Sequence, residues 1–121
     1  MAGGAAFFHG SGERGNDNCS QLSQGLPPSW LDEHGETFPA VVVIPQAPEG
    51  TSWNEDNEEQ VAMQALHDSI EAYDGDRPRL YLTGLSMGGY GSWQIALAHP
   101  GMFAAAAIVC GGIRHPNATI G

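Results

Sequence analysis

Basic side chains are scarce in this sequence. The 121 residues include 4 Lys and Arg against 14 Asp and Glu, so the formal net charge is −10. A surface with this excess of carboxylates repels phosphate groups, which argues against nucleic acid and anionic membranes as partners. Hydrophobic residues make up 41% of the chain and charged residues 15%. This balance is typical of a soluble globular protein and excludes a fully disordered one.

Long apolar runs and cysteines are also missing. No run approaches the roughly 20 apolar residues that span a bilayer, and the start of the chain, MAGGAAFFHG, lacks the basic flank of a signal peptide. Cys19 and Cys110 are too few for a disulfide framework. Cys110 ends an apolar run and is expected to be buried. We therefore expect one soluble domain over residues 1–121, in a compartment that the sequence leaves open.

Short apolar runs, each followed by glycine or proline, organise the chain. They are predicted as strands and read AAFF (5–8), AVVVI (40–44), RLYLTG (79–84) and AAAAIVC (104–110). The second run is β-branched and does not alternate with polar residues. This pattern is typical of a strand that is buried on both faces.

Helical patterns lie between these runs. Asn57 is the predicted cap of one helix, whose acidic first turn suits the helix dipole. Gly75 is expected to end this helix. Its apolar face is predicted to carry Ala62, Leu66, Ile70 and Tyr73. Residues 87–98 form a second predicted helix, which ends before Pro100.

The region 16–38 carries weaker signals. A short helix is expected around 18–24. Pro27 and Pro28 then predict a loop, because proline disrupts the interior of a helix.

Strands that alternate with helices predict right-handed crossovers and a mainly parallel, four-stranded sheet. The predicted fold class is therefore α/β, as a three-layer α/β/α arrangement. Ligands of such sheets bind outside the carboxyl ends of the strands. The turns expected at that edge read HGSGERG, PQAPEG, GLSMGG and CGGIRHP.

The turn GLSMG follows a predicted strand and precedes a predicted helix, with Ser86 at its centre. A sharp strand-to-helix turn strains the serine, and Gly84 and Gly88 flank it where larger side chains would collide. The positive end of the following helix would favour an alkoxide or oxyanion at this position. The pattern therefore predicts a nucleophilic serine, and the alternative is a serine that only caps the helix.

The first turn, HGSGERG, contains G-x-G-x-x-G, with Asp32 and Glu33 further along the chain. This spacing occurs in dinucleotide-binding domains, but there the motif opens a helix, whereas here a polar loop continues. The same glycines also suit an oxyanion loop, because they let the backbone approach a substrate carbonyl. The predicted oxyanion donors are the backbone amides of Ser11 and Met87.

These motifs together resemble the α/β-hydrolase fold. HGSGERG, VVVIPQAPEGTSW and YLTGLSMGGYGSW are most similar to esterases and peptidases grouped with polyhydroxybutyrate-depolymerase-like and feruloyl-esterase-like enzymes. The resemblance implies a hydrolase of small carboxylic esters that needs no cofactor and no metal. It implies that Ser86 is the nucleophile and that Ser11 and Met87 form the oxyanion hole. It also implies a structural role for His9 and a place for Trp53 beside the substrate pocket.

The chain departs from this family at both ends. Its four runs correspond to strands 3 to 6 of the family's sheet, in the spatial order 4-3-5-6, so we expect the middle of a larger sheet. Two of these apolar strands would be edges, which predicts a homo-oligomer. A catalytic triad in this fold runs Ser, Asp or Glu, then His along the chain, yet no acid follows Ser86.

The base that would activate Ser86 is therefore open. His99 would lie at the far end of the helix, roughly 20 Å away at about 1.5 Å per residue. His115 follows the last strand at the expected edge, so it is a candidate base. The favoured alternative is a solvated histidine in a frayed chain terminus. Glu13 is a remote candidate for the acid. We expect weak ester hydrolysis at most, and the competing hypothesis is a non-catalytic module that keeps the fold.

Overall fold

The structure is a computed structural model that describes residues 2–34, 37 and 39–112. Strands and α-helices alternate along these residues. Among them, no helix combines the length and apolar character needed to cross a bilayer. The elements are β1 (Ala2–Phe8), α1 (Leu26–His34), β2 (Ala40–Val43), α2 (Asp56–Ala72), β3 (Gly75–Leu85), α3 (Met87–Ala98) and β4 (Ala105–Val109), with short 3₁₀ turns at Ser11–Glu13 and Ser20–Leu22.

The strands form one parallel sheet in the order β2-β1-β3-β4. Ala6 of β1 pairs with Val43 on one side and with Leu82 on the other. This order is the one expected for strands 3 to 6 of the family's sheet, so the α/β fold class is confirmed. Because all strands run the same way, their carboxyl ends meet at one edge, where the turns after β1, β2, β3 and β4 come together.

The core lies on the face of the sheet that α2 and α3 cover. Side chains of β1 and β3 alternate, and those on this face pack against both helices and Trp53. Gly4 allows the close approach, since a Cβ there would overlap the side chain of Ile70. The core residues are Ala6, Phe8, Ala47, Trp53, Ala62, Met63, Leu66, Ile70, Leu80, Leu82, Met87 and Ile95.

The opposite face is covered only in part. Gly25, which precedes α1, lies against Phe7 and Leu85, so a Cβ on it would be 3.1 Å from Phe7 Cζ and 3.4 Å from Leu85 Cδ2. Phe7 is consequently buried, whereas Tyr81 and Val109 are 43% and 50% exposed. The segment that leads into α1 thus covers Phe7, and the β3–β4 side of this face is more open.

The expected loop through Pro27 and Pro28 is wrong, because both prolines lie inside α1, which begins at Leu26. The first turn of a helix tolerates proline, since its amides have no partner within the helix and the ring already has a helical φ. The short helix expected before it is a 3₁₀ turn at Ser20–Leu22.

The amphipathic face of α2 is confirmed for its first three positions. Ala62, Leu66 and Ile70 are buried, but Tyr73 is 72% exposed because it follows the last helical residue. The predicted cap, Asn57, is wrong, because the helix begins at Asp56 and Glu55 occupies the cap position. The helix is followed by Asp74 with φ 52°, a left-handed conformation that aspartate tolerates, so Gly75 begins β3 instead of ending α2.

The edge strands are less buried than their sequences predict. Residues of β2 are half-buried, and most of β4 is exposed. Cys110, which was expected to be buried, is exposed at the end of β4, and both cysteines are free thiols. Each edge strand has a sheet neighbour on one side only, so apolar composition alone does not bury it.

Self-association through the exposed edge of β4 stays a prediction. Its five residues are all apolar, with neither a charge nor a proline to block pairing with another strand. We expect light scattering at micromolar concentration to give a mass above 12.8 kDa. Ala107→Lys places a charge on β4 and should shift the mass toward that of the monomer. Gln64→Lys, on the exposed side of α2, should not. A stable monomer for the wild-type chain would refute self-association.

Candidate functional site

Ser86 occupies the turn between β3 and α3. Its backbone has φ 56° and ψ −111°, a region that non-glycine residues rarely adopt. The amide of Ser86 donates to Val109 O at 2.8 Å, and its carbonyl accepts from Tyr90 at 3.0 Å. These two bonds hold the strained turn between the end of β4 and the first turn of α3. The serine is exposed at the carboxyl edge of the sheet.

The glycines beside Ser86 are required by close contacts, as the sequence predicts. A Cβ on Gly84 would overlap the carbonyl of Gly88, and it would lie 2.5 Å from Ser92 Oγ. A Cβ on Gly88 would overlap the carbonyl of Phe8 and lie 2.7 Å from His9 O. The first turn of α3 therefore rests directly on the end of β1, which brings Ser86 beside the turn that follows β1.

The start of α3 presents backbone donors next to the serine. The first intrahelical bond comes from Tyr90, so the amides of Met87, Gly88 and Gly89 have no acceptor within the helix. Aligned peptide dipoles also place partial positive charge at this end. The side chain of Met87 is buried and accepts a hydrogen bond from Arg14 Nη2 at 3.1 Å. The side chain of Met87 thus points into the protein and anchors this residue, whose backbone amide is a predicted oxyanion donor.

The turn after β1 faces Ser86 across an open cleft. A Cβ on Gly10 would lie 3.8 Å from Ser86 Cβ and 3.5 Å from Leu85 O. The 3₁₀ turn Ser11–Glu13 follows, and Glu13 Oε1 accepts from the Gly10 amide at 3.3 Å. The cleft has a volume of about 420 Å³. Its lining consists of Gly10, Ser11, Gly12, Glu13, Ser23, Gln24, Leu85 and Ser86.

The structure thus brings Ser11 and Ser86 to one cleft, with Met87 directly after the serine. The Ser11 amide is the first of its short turn, and no hydrogen bond found among the described residues uses it or the Met87 amide. Two backbone donors are therefore available beside an exposed hydroxyl. This arrangement could hold the oxyanion that forms when a serine attacks a carbonyl.

His9 is a structural residue of this edge. It is fully buried, and its Nε2 accepts from the Ala47 amide at 2.9 Å while Nδ1 lies 2.6 Å from Gly10 O. An amide can only donate and a carbonyl can only accept, so the ring is neutral with its proton on Nδ1. Burial lowers the pKa of His9, against the opposing effect of the Gly10 carbonyl. Trp53, implied beside the pocket, is instead buried, and its Nε1 donates to His9 O at 3.0 Å.

The three histidines whose side chains the structure describes, His9, His67 and His99, form their hydrogen bonds with residues other than Ser86. His67 on α2 pairs with Arg77 and not with a residue of the cleft; the distance from His67 Nδ1 to Arg77 Nη1 is 3.1 Å. His99 follows α3 and lies 3.2 Å from Glu59 Oε1, at the opposite end of that helix from Ser86. His115 lies outside the described residues. The base therefore stays unassigned.

The loop after β1 does not have the geometry of a dinucleotide site. That motif needs an α-helix directly after the glycines, so that its amides can bind a pyrophosphate. Here a three-residue 3₁₀ turn follows, and α1 begins only at Leu26. In the described part of the chain, no three His, Cys, Asp or Glu side chains cluster in a way that could hold a metal ion.

Two residues that sequence reasoning missed, Asp17 in this loop and Gln46 in the turn after β2, join the two segments. Gln46 contacts Glu13, Asp17 and Asn18 through its side-chain amide. Asp17 accepts hydrogen bonds from the Ser20 amide, from Gln46 and from the Cys19 amide, which lower its pKa. The available signal was a polar residue in each of two turns predicted to meet at one edge, but spacing alone does not pair them.

Comparisons with known proteins agree with this geometry. A protein-family model described as "Putative esterase" matches residues 44–120, and no curated protein sequence matches the chain. Among solved structures, the chain is similar to one described as "Crystal Structure of a Thermostable Esterase", with 33% identity and a TM-score of 0.76. The match covers 93% of this chain and 33% of that one, so the chain spans about a third of its length.

The strand order and the serine turn between β3 and α3 define an α/β-hydrolase fold. The family model covers more than half of the chain. The chain therefore belongs to the esterase family that carries the description "Putative esterase", and the resemblance seen in its motifs is confirmed.

The contact between α3 and β1 can be tested with one methyl group. Gly88→Ala replaces a helical glycine, a change that ordinarily stabilises a helix by about 1 kcal/mol. Here we expect a loss of about 1–3 kcal/mol, because the new Cβ overlaps the Phe8 carbonyl. Gly12→Ala is the matched control, since nothing lies within 4 Å of its Cβ position. Urea unfolding measures both, and equal stabilities would contradict the close packing.

The neutral state of His9 predicts a pH dependence of stability. Its pKa in the folded protein is below the ordinary 6.5, so the unfolded chain binds the proton more tightly. The free energy of unfolding is then fully retained above about pH 6.5 and falls as the pH drops below that value. Urea midpoints at pH 7.5 and 5.5 should show this decrease, and His9→Gln should weaken it. An unchanged wild-type midpoint over this range would contradict a neutral buried ring.

Proposed function

We propose that the chain carries the nucleophile and oxyanion hole of a serine esterase that acts on small carboxylic esters. One observation carries the proposal: an exposed serine in a strained strand-to-helix turn faces a glycine turn with an available amide. Membership of an esterase family and similarity to a thermostable esterase support the reaction class. No cofactor or metal is required for this chemistry.

In the proposed reaction, Ser86 Oγ attacks the ester carbonyl carbon and loses its proton to a base. The carbonyl oxygen becomes an oxyanion that the amides of Ser11 and Met87 stabilise by hydrogen bonds. Collapse of this intermediate breaks the ester bond, the alcohol leaves with a proton, and an acyl-serine remains. Water then attacks the acyl group by the same route and restores the serine.

The positive end of α3 adds to this stabilisation. Met87 donates from the first turn of the helix, where the dipole favours negative charge. The protein has a net charge of −10, so nearby donors and a helix terminus, rather than overall charge, must stabilise an oxyanion. Loss of one oxyanion donor typically lowers kcat by about 100- to 1000-fold.

The base limits the rate. The hydrogen bonds of His9, His67 and His99 go to residues other than Ser86, and no acid follows Ser86 in the given sequence. His115 remains a candidate base at the end of the chain, and Glu13 lines the cleft. Without a positioned base the hydroxyl is a poor nucleophile, so we expect slow hydrolysis from this chain alone. The second candidate function is the alternative that the sequence raised, a non-catalytic module that keeps the fold.

A fluorophosphonate probe tests the proposal, because it forms a bond to an activated serine oxygen as fluoride leaves. We expect labelling of the wild-type chain at Ser86 and none in Ser86→Ala. Ser23→Ala, which alters another serine of the same cleft, is the control. Equal labelling of Ser86→Ala would refute the assignment, and no labelling of the wild type would favour the non-catalytic module.

The Ser11 donor can be removed without changing the turn. Ser11→Pro deletes the amide hydrogen and also the hydroxyl, and the preceding Gly10 has φ −81° and ψ 179°, which suits a residue before proline. We expect labelling to slow by about 100-fold. Ser11→Ala keeps the amide and should be labelled far faster than Ser11→Pro. Similar rates for the two variants would contradict a donor role for this amide.

A further inference from the structure

The side chain of Gln46 joins the turn after β2 to the turn after β1. Its Nε2 donates to Glu13 O at 3.1 Å and to Asp17 Oδ1 at 2.9 Å, and its Oε1 accepts from the Asn18 amide at 2.7 Å. Both partners of Nε2 can only accept, and the partner of Oε1 can only donate. The site therefore matches a carboxamide, and a carboxylate of the same shape would lose both donated bonds.

Asp17 forms the other half of this contact. Its Oδ1 accepts from the amides of Cys19 and Ser20 at 2.9 and 3.1 Å, and its Oδ2 accepts from Ser20 Oγ at 2.8 Å. With Gln46, the carboxylate thus has four donors around it. Because such donors favour the charged form, the pKa of Asp17 is well below its ordinary value, chiefly through the Ser20 amide and Gln46.

The contacts continue from Gln46 to the cleft. Gln46 holds the carbonyl of Glu13, and the carboxylate of Glu13 accepts from the Gly10 amide at 3.3 Å. The turn that contains Ser11 lies between these two points. Next to Gln46, Ala47 accepts from the Gly15 amide at 3.0 Å and donates to His9. The loop is therefore attached on both sides of Ser11, and Gln46 provides the attachment on the Glu13 side.

We propose that Gln46 and Asp17 are positioning residues, which hold the turn at Ser11 so that its amide points at the reacting carbonyl. The inference rests on the proposed esterase function. Neither side chain is among those that line the cleft, so neither touches the substrate. Their effect is on the geometry of the oxyanion donor, which acts in the transition state, and so on the maximal rate rather than on probe binding.

The sharpest test replaces Gln46 by an isosteric carboxylate. Gln46→Glu keeps the acceptor for Asn18, loses the donor to Glu13 and Asp17, and adds a negative charge beside Asp17. Gln64→Glu is the matched control, because Gln64 also donates to an aspartate, Asp68, at 2.8 Å, but on the exposed side of α2, away from the cleft. We expect the maximal labelling rate of Gln46→Glu to be about 10- to 100-fold below that of Gln64→Glu, with a similar half-saturating probe concentration.

A pH series separates positioning from general loss of structure. The ordinary pKa of a glutamate is about 4.3, and the carboxylate of Asp17 beside it raises the pKa of the introduced group. At pH 4 the introduced carboxyl is therefore protonated, so it can again donate to Asp17, and the repulsion is removed. The rate of Gln46→Glu relative to Gln64→Glu should then rise toward one between pH 8 and pH 4. A ratio below one that does not change with pH would overturn the donor role of Gln46.

A second pair of variants and a second measurement keep the test independent of one substitution. Asp17→Ala should slow labelling, and Asp68→Ala should not. Hydrogen exchange of residues 10–19 should be faster in Gln46→Glu than in Gln64→Glu, with equal far-UV circular dichroism.

The outcomes distinguish the two proposals. Labelling of Gln46→Glu at the control rate would overturn the positioning role while leaving the esterase proposal intact. An unlabelled wild-type chain would overturn the esterase proposal. In that case hydrogen exchange still tests the contact between Gln46 and the loop after β1. Faster exchange in Gln46→Glu supports the contact, and unchanged exchange overturns it.

Discussion

The contact between the first turn of α3 and the end of β1 constrains the rest of this structure. Gly88 lies against the carbonyl of Phe8 with no room for a side chain. This approach forces a sharp turn after β3, which gives Ser86 its left-handed φ and leaves the residue exposed at the sheet edge. It also brings the serine beside Gly10, so that one contact between backbones creates the cleft.

The turn after β2 stabilises the cleft that this contact between α3 and β1 creates. A glycine-rich loop has a high conformational entropy when it is free, yet an amide aimed at a reacting oxygen must stay in place. Ala47 fixes the buried ring of His9 on one side of the loop, and Gln46 fixes Glu13 and Asp17 on the other. Under the proposed function, three turns at the same sheet edge have separate roles: one carries the serine, one carries an oxyanion donor, and one holds that donor in position.

The two faces of the sheet are unequal. Helices α2 and α3 enclose the core on one face, whereas β4 and part of β3 are exposed on the other. A cleft of about 460 Å³ on that side is lined almost entirely by apolar atoms, among them those of Phe7, Leu85 and Val109. Apolar surface of this kind favours contact with another surface in water. The solved esterase structure to which the chain is similar is about three times as long as the part that matches.

Much of the fold could be predicted from local patterns. Each apolar run became a strand, the period of Ala62, Leu66 and Ile70 marked the buried side of α2, and the helix after Ser86 has the predicted ends. These features depend on neighbours in the chain. The failures came where a local signal had two outcomes, because Pro27 and Pro28 suit a loop and also the first turn of a helix.

For the site, the sequence by itself determined the serine turn, since glycines on both sides of Ser86 have a steric meaning that does not depend on distant residues. It also identified the loop that contains Ser11. Only the tertiary structure decided which residues support them: Gln46 meets Asp17, and His9 meets Ala47, across more than 25 positions of sequence. It likewise decided that Cys110 and β4 are exposed. Hydrogen bonds between turns and the burial of a strand depend on what lies beside them in space, and a run of residues carries no record of its neighbours across the sheet.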